Sequence, residues 1–307
     1  MNMDLSQLFS LQFMMFAEMA VGYLICSFHI LKPSDRTVFS KAVINVFLPA
    51  SIVNSFNIEM TPEIAKNFAV ILGVSIGIQI LSTFLAAVLY RKTDADRKGI
   101  LQYATVCSNA GFLGNAVAEG VFGQMGMLYG QIYLIPLRIV MWSAGISYFE
   151  GGTDFKAVFK KVMTHPCIIA VIIGLIRMIA GITFPSAVNT TLTSLGRCST
   201  PLIMLFLGMI LAEYGFKSMI SKLNLQYCVL RLLIIPVIVL GGCLLLRVDP
   251  VLTGISVLLA AMPAGSTTAV FAEQYHTDVK FAADCVVLST ILSIAVLPVW
   301  AILLYSL

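Results

Sequence analysis

Apolar residues run in blocks of about twenty along most of this chain, parted by short clusters in which the charged residues gather. A bilayer core about 30 Å thick takes about 20 mostly apolar residues of helix per crossing, and the blocks have that length. Read between the polar breaks, they predict ten spans, at about 8–30, 38–57, 67–90, 99–121, 126–149, 165–183, 186–211, 224–246, 251–272 and 281–305. The domain reading is a five-helix unit over 1–149, a linker over 150–164 and a second five-helix unit over 165–307. Five crossings per half make the second unit an inverted copy of the first if the halves repeat. Two shifts point to such repetition: Pro49 in "VFLPAS" and Pro201 in "CSTPLI" stand 152 apart, and Gly99-Ile100 and Gly254-Ile255 stand 155 apart. The expected fold class is therefore an all-α integral membrane protein of two inverted five-helix repeats.

Two blocks depart from the pattern. Span 4 carries "CSNAGFLGNAVAEG" at 107–120 and span 9 carries "AAMPAGSTTAVFAEQY" at 260–275, and neither makes a good continuous helix. Under the repeat register Ser108 and Asn109 fall opposite Pro263 and Ala264. A break at membrane depth frees backbone groups that cost several kcal/mol each in hydrocarbon, so it survives only beside protein or a water-filled cavity. Gly/Pro-interrupted segments at matching places in two halves point to a transporter's midplane binding site. Candidate binding residues are Asn109, Gly111 and Asn115 in the first break and Pro263, Gly265, Ser266 and Thr267 in the second. Half-helix N-termini are expected near Asn115 and Ser266, facing each other and attracting an anion, with Ser266, Thr267 and Thr268 as capping hydroxyls. Gly111 and Gly114 alone fit helix packing equally well.

Composition fixes the class. Hydrophobic residues make up 59% of the 307 and charged residues 11%, with a mean hydropathy of +0.95; a soluble domain has roughly 25% charged residues. Charge distribution sets orientation. Loops after the odd-numbered spans, with their flanks, hold thirteen Lys and Arg, against Lys66, Arg177 and Arg247 on the other side. The positive-inside bias places the thirteen in the cytoplasm and both termini outside the cell membrane. The opening MNMDLSQ has no basic residue, so the first span is expected to persist rather than act as a cleaved signal. Seven cysteines, all in apolar stretches and without C-x-x-C spacing, read as small buried fillers.

Charges inside spans are expensive and hence functional candidates. Arg138 and Arg197 each offer a planar fork for a carboxylate, and Glu18 is the mid-span acid, either pairing with an arginine or helping bind a coupling H+ or Na+. Glu119 and Asp284 are further coupling-ion candidates, with packing as the alternative. Arg231 lies about two turns from the cytoplasmic end and is expected to snorkel. Tyr103, Tyr129 and Tyr133 flank the first break, as packing residues or cavity walls, and His29, His165 and His276 read as interfacial structure. No G-x-S-G, H-E-x-x-H or paired intramembrane aspartates argue for an enzyme, and no metal or organic cofactor is implied. The implied partners are a small organic anion and the lipid bilayer, not nucleic acid, and a homodimer is allowed. A carrier fits best, and an anion channel or facilitator with the same broken helices is the alternative.

The quoted breaks also carry a resemblance. "SNAGFLGN" resembles the asparagine-x-glycine-phenylalanine signature of the auxin efflux carrier family, and "AMPAGSTTAVFAEQYHTD" with "VVLSTILSIAVLP" resembles its second signature. The resemblance covers nearly the whole chain. It implies two inverted repeats, crossing of the broken fourth and ninth helices, alternating access and carboxylate substrates such as mono- or dicarboxylates. Family members usually have a proline seven residues after the motif asparagine, where this chain has Ala116. Unwinding here then rests on the glycines and asparagines.

The orientation is testable with single cysteines at Met3 and Lys156 in a cysteine-free background. An impermeant thiol reagent on intact cells should label position 3 and spare position 156; the opposite pattern reverses the topology.

Overall fold

The computed structural model describes residues 5–57, 62–150, 164, 166–214 and 219–305. The described residues are helical, and their only sheet-like feature is one isolated antiparallel bridge. The expected linker lies almost wholly outside the described residues.

Helix α1 spans Leu5–Ser27. Helices α2 (Arg36–Ala42) and α3 (Leu48–Ser55) run on through a π turn at Val43–Phe47, and α4 spans Pro62–Leu89. Helix α5 (Ala95–Val106) ends at the first break, a π turn at Ala110–Gly114 restarts the helix, and α6 continues over Asn115–Trp142, followed by α7 (Ala144–Glu150). Gly123 interrupts α6 with φ 64° and ψ −152°, outside helical space, so two apolar runs meet there at a kink. The second half holds α8 (Pro166–Ile179), α9 (Ser186–Arg197), α10 (Ser199–Tyr214), α11 (Lys222–Val229), a π turn at Leu230–Ile234 and α12 (Ile235–Leu245). It closes with α13 (Pro250–Ala260), α14 (Thr267–Gln274) and α15 (Val279–Tyr305).

Six of these segments are long and apolar enough to cross a membrane, and Phe13–Ser27, Pro166–Ile179 and Pro250–Ala260 are shorter apolar helices. The outer surface agrees: Ile179, Leu245 and Phe13 are 75–85% exposed. Water would penalise such a surface, whereas acyl chains match it. Helix ends rest on the left-handed conformation: His29, Gly181, Arg247 and His276 have φ between 53° and 62°, each where a helix stops. At His276 the next amide, Thr277 N, reaches back to Ala272 O at 3.0 Å, closing the helix end. Both described histidines thus serve backbone geometry, and His165 lies outside the described residues.

Between helices in lipid, close approach replaces hydrophobic drive. Helix α1 lies against α10 because Gly22 and Gly208 face the partner's backbone; a Cβ on either would strike Leu205 O or Met19 O. In the same way Gly174 of α8 receives the Phe56 ring, and Gly196 of α9 abuts the backbone of Ser51. Six of the seven cysteines are buried, as fillers should be, and Cys198 is exposed at the junction of α9 and α10.

Gly208→Ala should therefore destabilise the protein by about 1–3 kcal/mol through overpacking. Gly241→Ala, where a Cβ meets nothing within 4 Å, should leave the melting temperature in detergent unchanged or slightly raised.

Candidate functional site at the two helix breaks

The two breaks satisfy each other. Asn109 N donates to Pro263 O at 2.8 Å and Gly265 N to Cys107 O at 3.0 Å, the two bonds of the bridge that pairs Ser108 with Ala264. Gly265 has to be glycine, because a Cβ there would sit 2.8 Å from Cys107 O. Ala264 N, between the bonded positions, donates to Ser289 Oγ of α15 at 3.1 Å. The hydroxyls of Tyr103 and Thr267 meet at 3.0 Å, tying α5 to the start of α14. Beside this tie, Tyr103, Trp142, Phe149 and Phe271 pack edge to face with centroids 5.2–5.9 Å apart. Such pairs add about 0.5–1.5 kcal/mol each and make this end of the site stiff.

Two expectations about the half-helices need correction. Helical winding resumes at Ala110, not near Asn115, because the Asn109 carbonyl already accepts Leu113 N and Gly114 N, both at 3.1 Å. The π turn absorbs the residues expected to unwind. The side chain of Asn115 lies outside the described residues. Ser266 stands at the N-cap position of α14 but its side chain makes no capping bond; Thr268 Oγ1 instead donates to Gly265 O at 2.6 Å.

Arg231 is the residue that hydropathy misplaced. It does not snorkel: it is 2% exposed, its Nε donates to Met262 O at 3.0 Å and its Nη1 to Thr105 O at 3.1 Å. Both carbonyls lie where a first half-helix, α13 or α5, has run out. A cation there meets the negative ends of both dipoles while pairing their orphan carbonyls. The π turn that carries Arg231 brings it inward, and Trp300 Nε1 donates to Leu232 O of that turn at 2.9 Å. Only the depth of a lone Arg inside a very apolar run signalled this role.

A cavity of about 60 Å³ opens against the breaks, lined by Ser108, Asn109, Gly111, Gly265, Ser266 and Thr267 together with Arg138 and α3. Asn109 is 2% exposed, and neither its Oδ1 nor its Nδ2 has a hydrogen-bond partner. Arg138 is 8% exposed; Nη2 reaches Gln131 Oε1 at 3.3 Å, the guanidinium lies 5.6 Å from the Phe56 ring centre, and Nη1 is unpartnered. Buried polar groups in folded proteins are normally bonded, so two spare ones in one cavity mark a place built for something else. The glycines divide their work: a Cβ at Gly114 would strike Leu259 and Met262, while one at Gly111 meets nothing within 4 Å.

A neighbouring space of about 470 Å³ shares Ser51 and Gly111 with the first and is lined by Glu18 and Arg197. Arg197 is exposed at the last residue of α9, so it does not join Asn109 and Arg138 in the first cavity. Glu18 keeps one buried carboxylate oxygen unpartnered, and no ion pair joins it to Arg138 or Arg197. Pro263 contributes its carbonyl to the bridge. Glu119 is exposed on α6 and Asp284 is buried on α15, and neither lines these two spaces. Tyr103, Tyr129 and Tyr133 are buried packing residues rather than walls of either.

Two arginine knots lie at opposite ends of the α2–α3 rod. At its start Arg36 pairs with Glu213 and, at 3.0 Å, with Glu273, which also accepts Thr37 Oγ1 at 3.0 Å. Beyond its end Arg177, 3% exposed, donates to Asn57 Oδ1 at 2.7 Å and Asn189 Oδ1 at 2.8 Å.

The profile of a family described as membrane transport protein matches residues 8–301. The chain belongs to this family, which is of the auxin efflux carrier type. Among relatives of the transporter, an uncharacterized transporter of Methanothermobacter thermautotrophicus is 28% identical over 92% of this chain and 94% of its own. One of Methanocaldococcus jannaschii is 24% identical over 93% and 95%. A protein of Rhizobium meliloti named "Putative malonate transporter" is 22% identical over 64% and 68%. It is a multi-pass membrane protein of a transporter family, not of an enzyme family.

Replacing Arg231 by Met should cost roughly 1–3 kcal/mol for each carbonyl left unpaired, and Lys, which keeps the charge but not the fork, should fall between. Thermal unfolding in detergent of the three proteins measures the order; equal stability of Arg231→Met and parent would remove the residue from this role.

Proposed function

We propose that the transporter is a secondary active carrier of small organic anions, mono- or dicarboxylates, working by alternating access around the two breaks. The observation that carries this reading is the pairing of spare groups in one cavity: the Asn109 amide, a donor and an acceptor, and Arg138 Nη1, a charged donor. A carboxylate accepts from both. Between the two arginines this reading favours Arg138 as the fork, and the name of the Rhizobium relative agrees with a small acid.

Ten crossings in two inverted repeats fit the same picture. Gly22 and Gly174, both seats of close helix approach, are 152 apart, as are the left-handed positions His29 and Gly181 and the prolines Pro49 and Pro201. Gly123 and His276, both with positive φ, are 153 apart. Each half also lays its first helix on the other half's second: α1 on α10, and α8 on α3. Glu18, which lines the space next to the breaks, is the candidate for a coupling H+ or Na+.

Uptake into proteoliposomes, with an acid panel and the neutral esters of the same acids, tests the reading. Saturable uptake and counterflow of a free acid but not its ester are expected. Asn109→Ala should weaken binding by ~1–3 kcal/mol and Arg138→Lys by about tenfold or more, since Lys lacks the planar fork. Equal binding of esters, or parental affinity in both variants, would overturn the anion site, and uptake that never saturates would favour the channel.

A further inference from the structure

Away from the breaks, a cleft of about 850 Å³ lies between the turn that follows α4 and the helix α11. Its mouth is basic and its depth is oily. Lys92, just past the end of α4, and Lys222, the first residue of α11, both line it, and no acidic residue does so among the described residues. Both ammonium groups are exposed and lack a carboxylate within 4 Å in the described structure. Along α11 and the π turn that follows it, the lining runs from Lys222 through Gln226 to Leu230 and Ile234, with Leu225 and Val229 beside them. Lys222, Gln226 and Leu230 stand four apart on one helix face, so that face grades from cation to amide to hydrocarbon over about 12 Å. Half of a bilayer core is about 15 Å deep, so this gradient fits within one leaflet.

The wall is fixed in shape. Tyr90 and Tyr227 line the cleft, and their hydroxyls are held by α5: Tyr90 Oη meets Thr105 Oγ1 at 3.1 Å, and Tyr227 Oη donates to Ala104 O at 3.1 Å. Leu225, Val229 and Ile234 are 42–48% exposed along it, ready to receive acyl chain. We propose that this cleft is a binding site for one anionic phospholipid, its phosphate between Lys92 and Lys222 and its acyl chains along Leu225, Val229 and Ile234. A zwitterionic headgroup offers the lysines no net charge, and a free phosphate offers the apolar wall nothing, so the pattern selects an acidic lipid.

Native mass spectrometry of the purified transporter with equimolar phosphatidylglycerol and phosphatidylcholine tests this. The parent should retain one phosphatidylglycerol in clear excess. Lys92→Gln/Lys222→Gln should lower that retention by about 30-fold, on the scale of two surface cations facing an acidic lipid, while Lys41→Gln, an exposed lysine outside the cleft, should leave it unchanged. Equal retention of the two lipids by the parent overturns the site, as does an unchanged preference in the double variant. Displacement of the lipid by glycerol 3-phosphate as effectively as by added phosphatidylglycerol overturns it too, since only the headgroup would then be bound.

Discussion

An amide without a partner cannot be left in hydrocarbon, and this molecule deliberately interrupts two helices there. The reciprocal pair of bonds between Asn109 and Pro263 and between Gly265 and Cys107 resolves the conflict. Because each break supplies what the other lacks, neither segment has a low-energy conformation alone. The remaining features of the centre follow from that meeting. Glycine is required at 265 for the backbones to touch, Ser289 takes the amide between, and Arg231 collects the carbonyls left where α5 and α13 stop.

Once backbone groups are matched with such economy, the groups left over become informative. The Asn109 side chain stands beside its own fully bonded backbone, with both amide atoms buried and idle. Arg138 is held by Gln131 and the Phe56 ring on one side only. Rigid neighbours surround them: the aromatic cluster around Phe271, and the Tyr103–Thr267 tie. A cavity whose frame is satisfied and whose inward groups are not leaves little ordering cost for the anion binding proposed for it.

Much of this was legible in the sequence because membrane structure leaves few choices. Apolar block length gave helix positions, and Gly, Asn and Pro inside such blocks marked both breaks. What stayed hidden depended on contacts between distant segments. Hydropathy assigned Arg231 to the interface by counting residues along one helix, whereas its carbonyl partners come from two others. Arg138 and Arg197 look alike as mid-span cations, and only packing puts one in the cavity with Asn109 and the other beside Glu18. The π turn at Ala110–Gly114 moved the helix restart by several residues, since a wider winding leaves no signature that composition distinguishes from a loop.

The knots at the two ends of the α2–α3 rod are built from different chemistry. Twenty residues of helix separate them by about 30 Å. Around Arg36 the partners are carboxylates, whereas around Arg177 they are amide oxygens that carry no charge and bind no proton near neutrality. Mobile ions screen the first and barely touch the second. The molecule therefore has one end whose grip follows the ionic composition of the solution it faces and another whose grip is nearly indifferent to it.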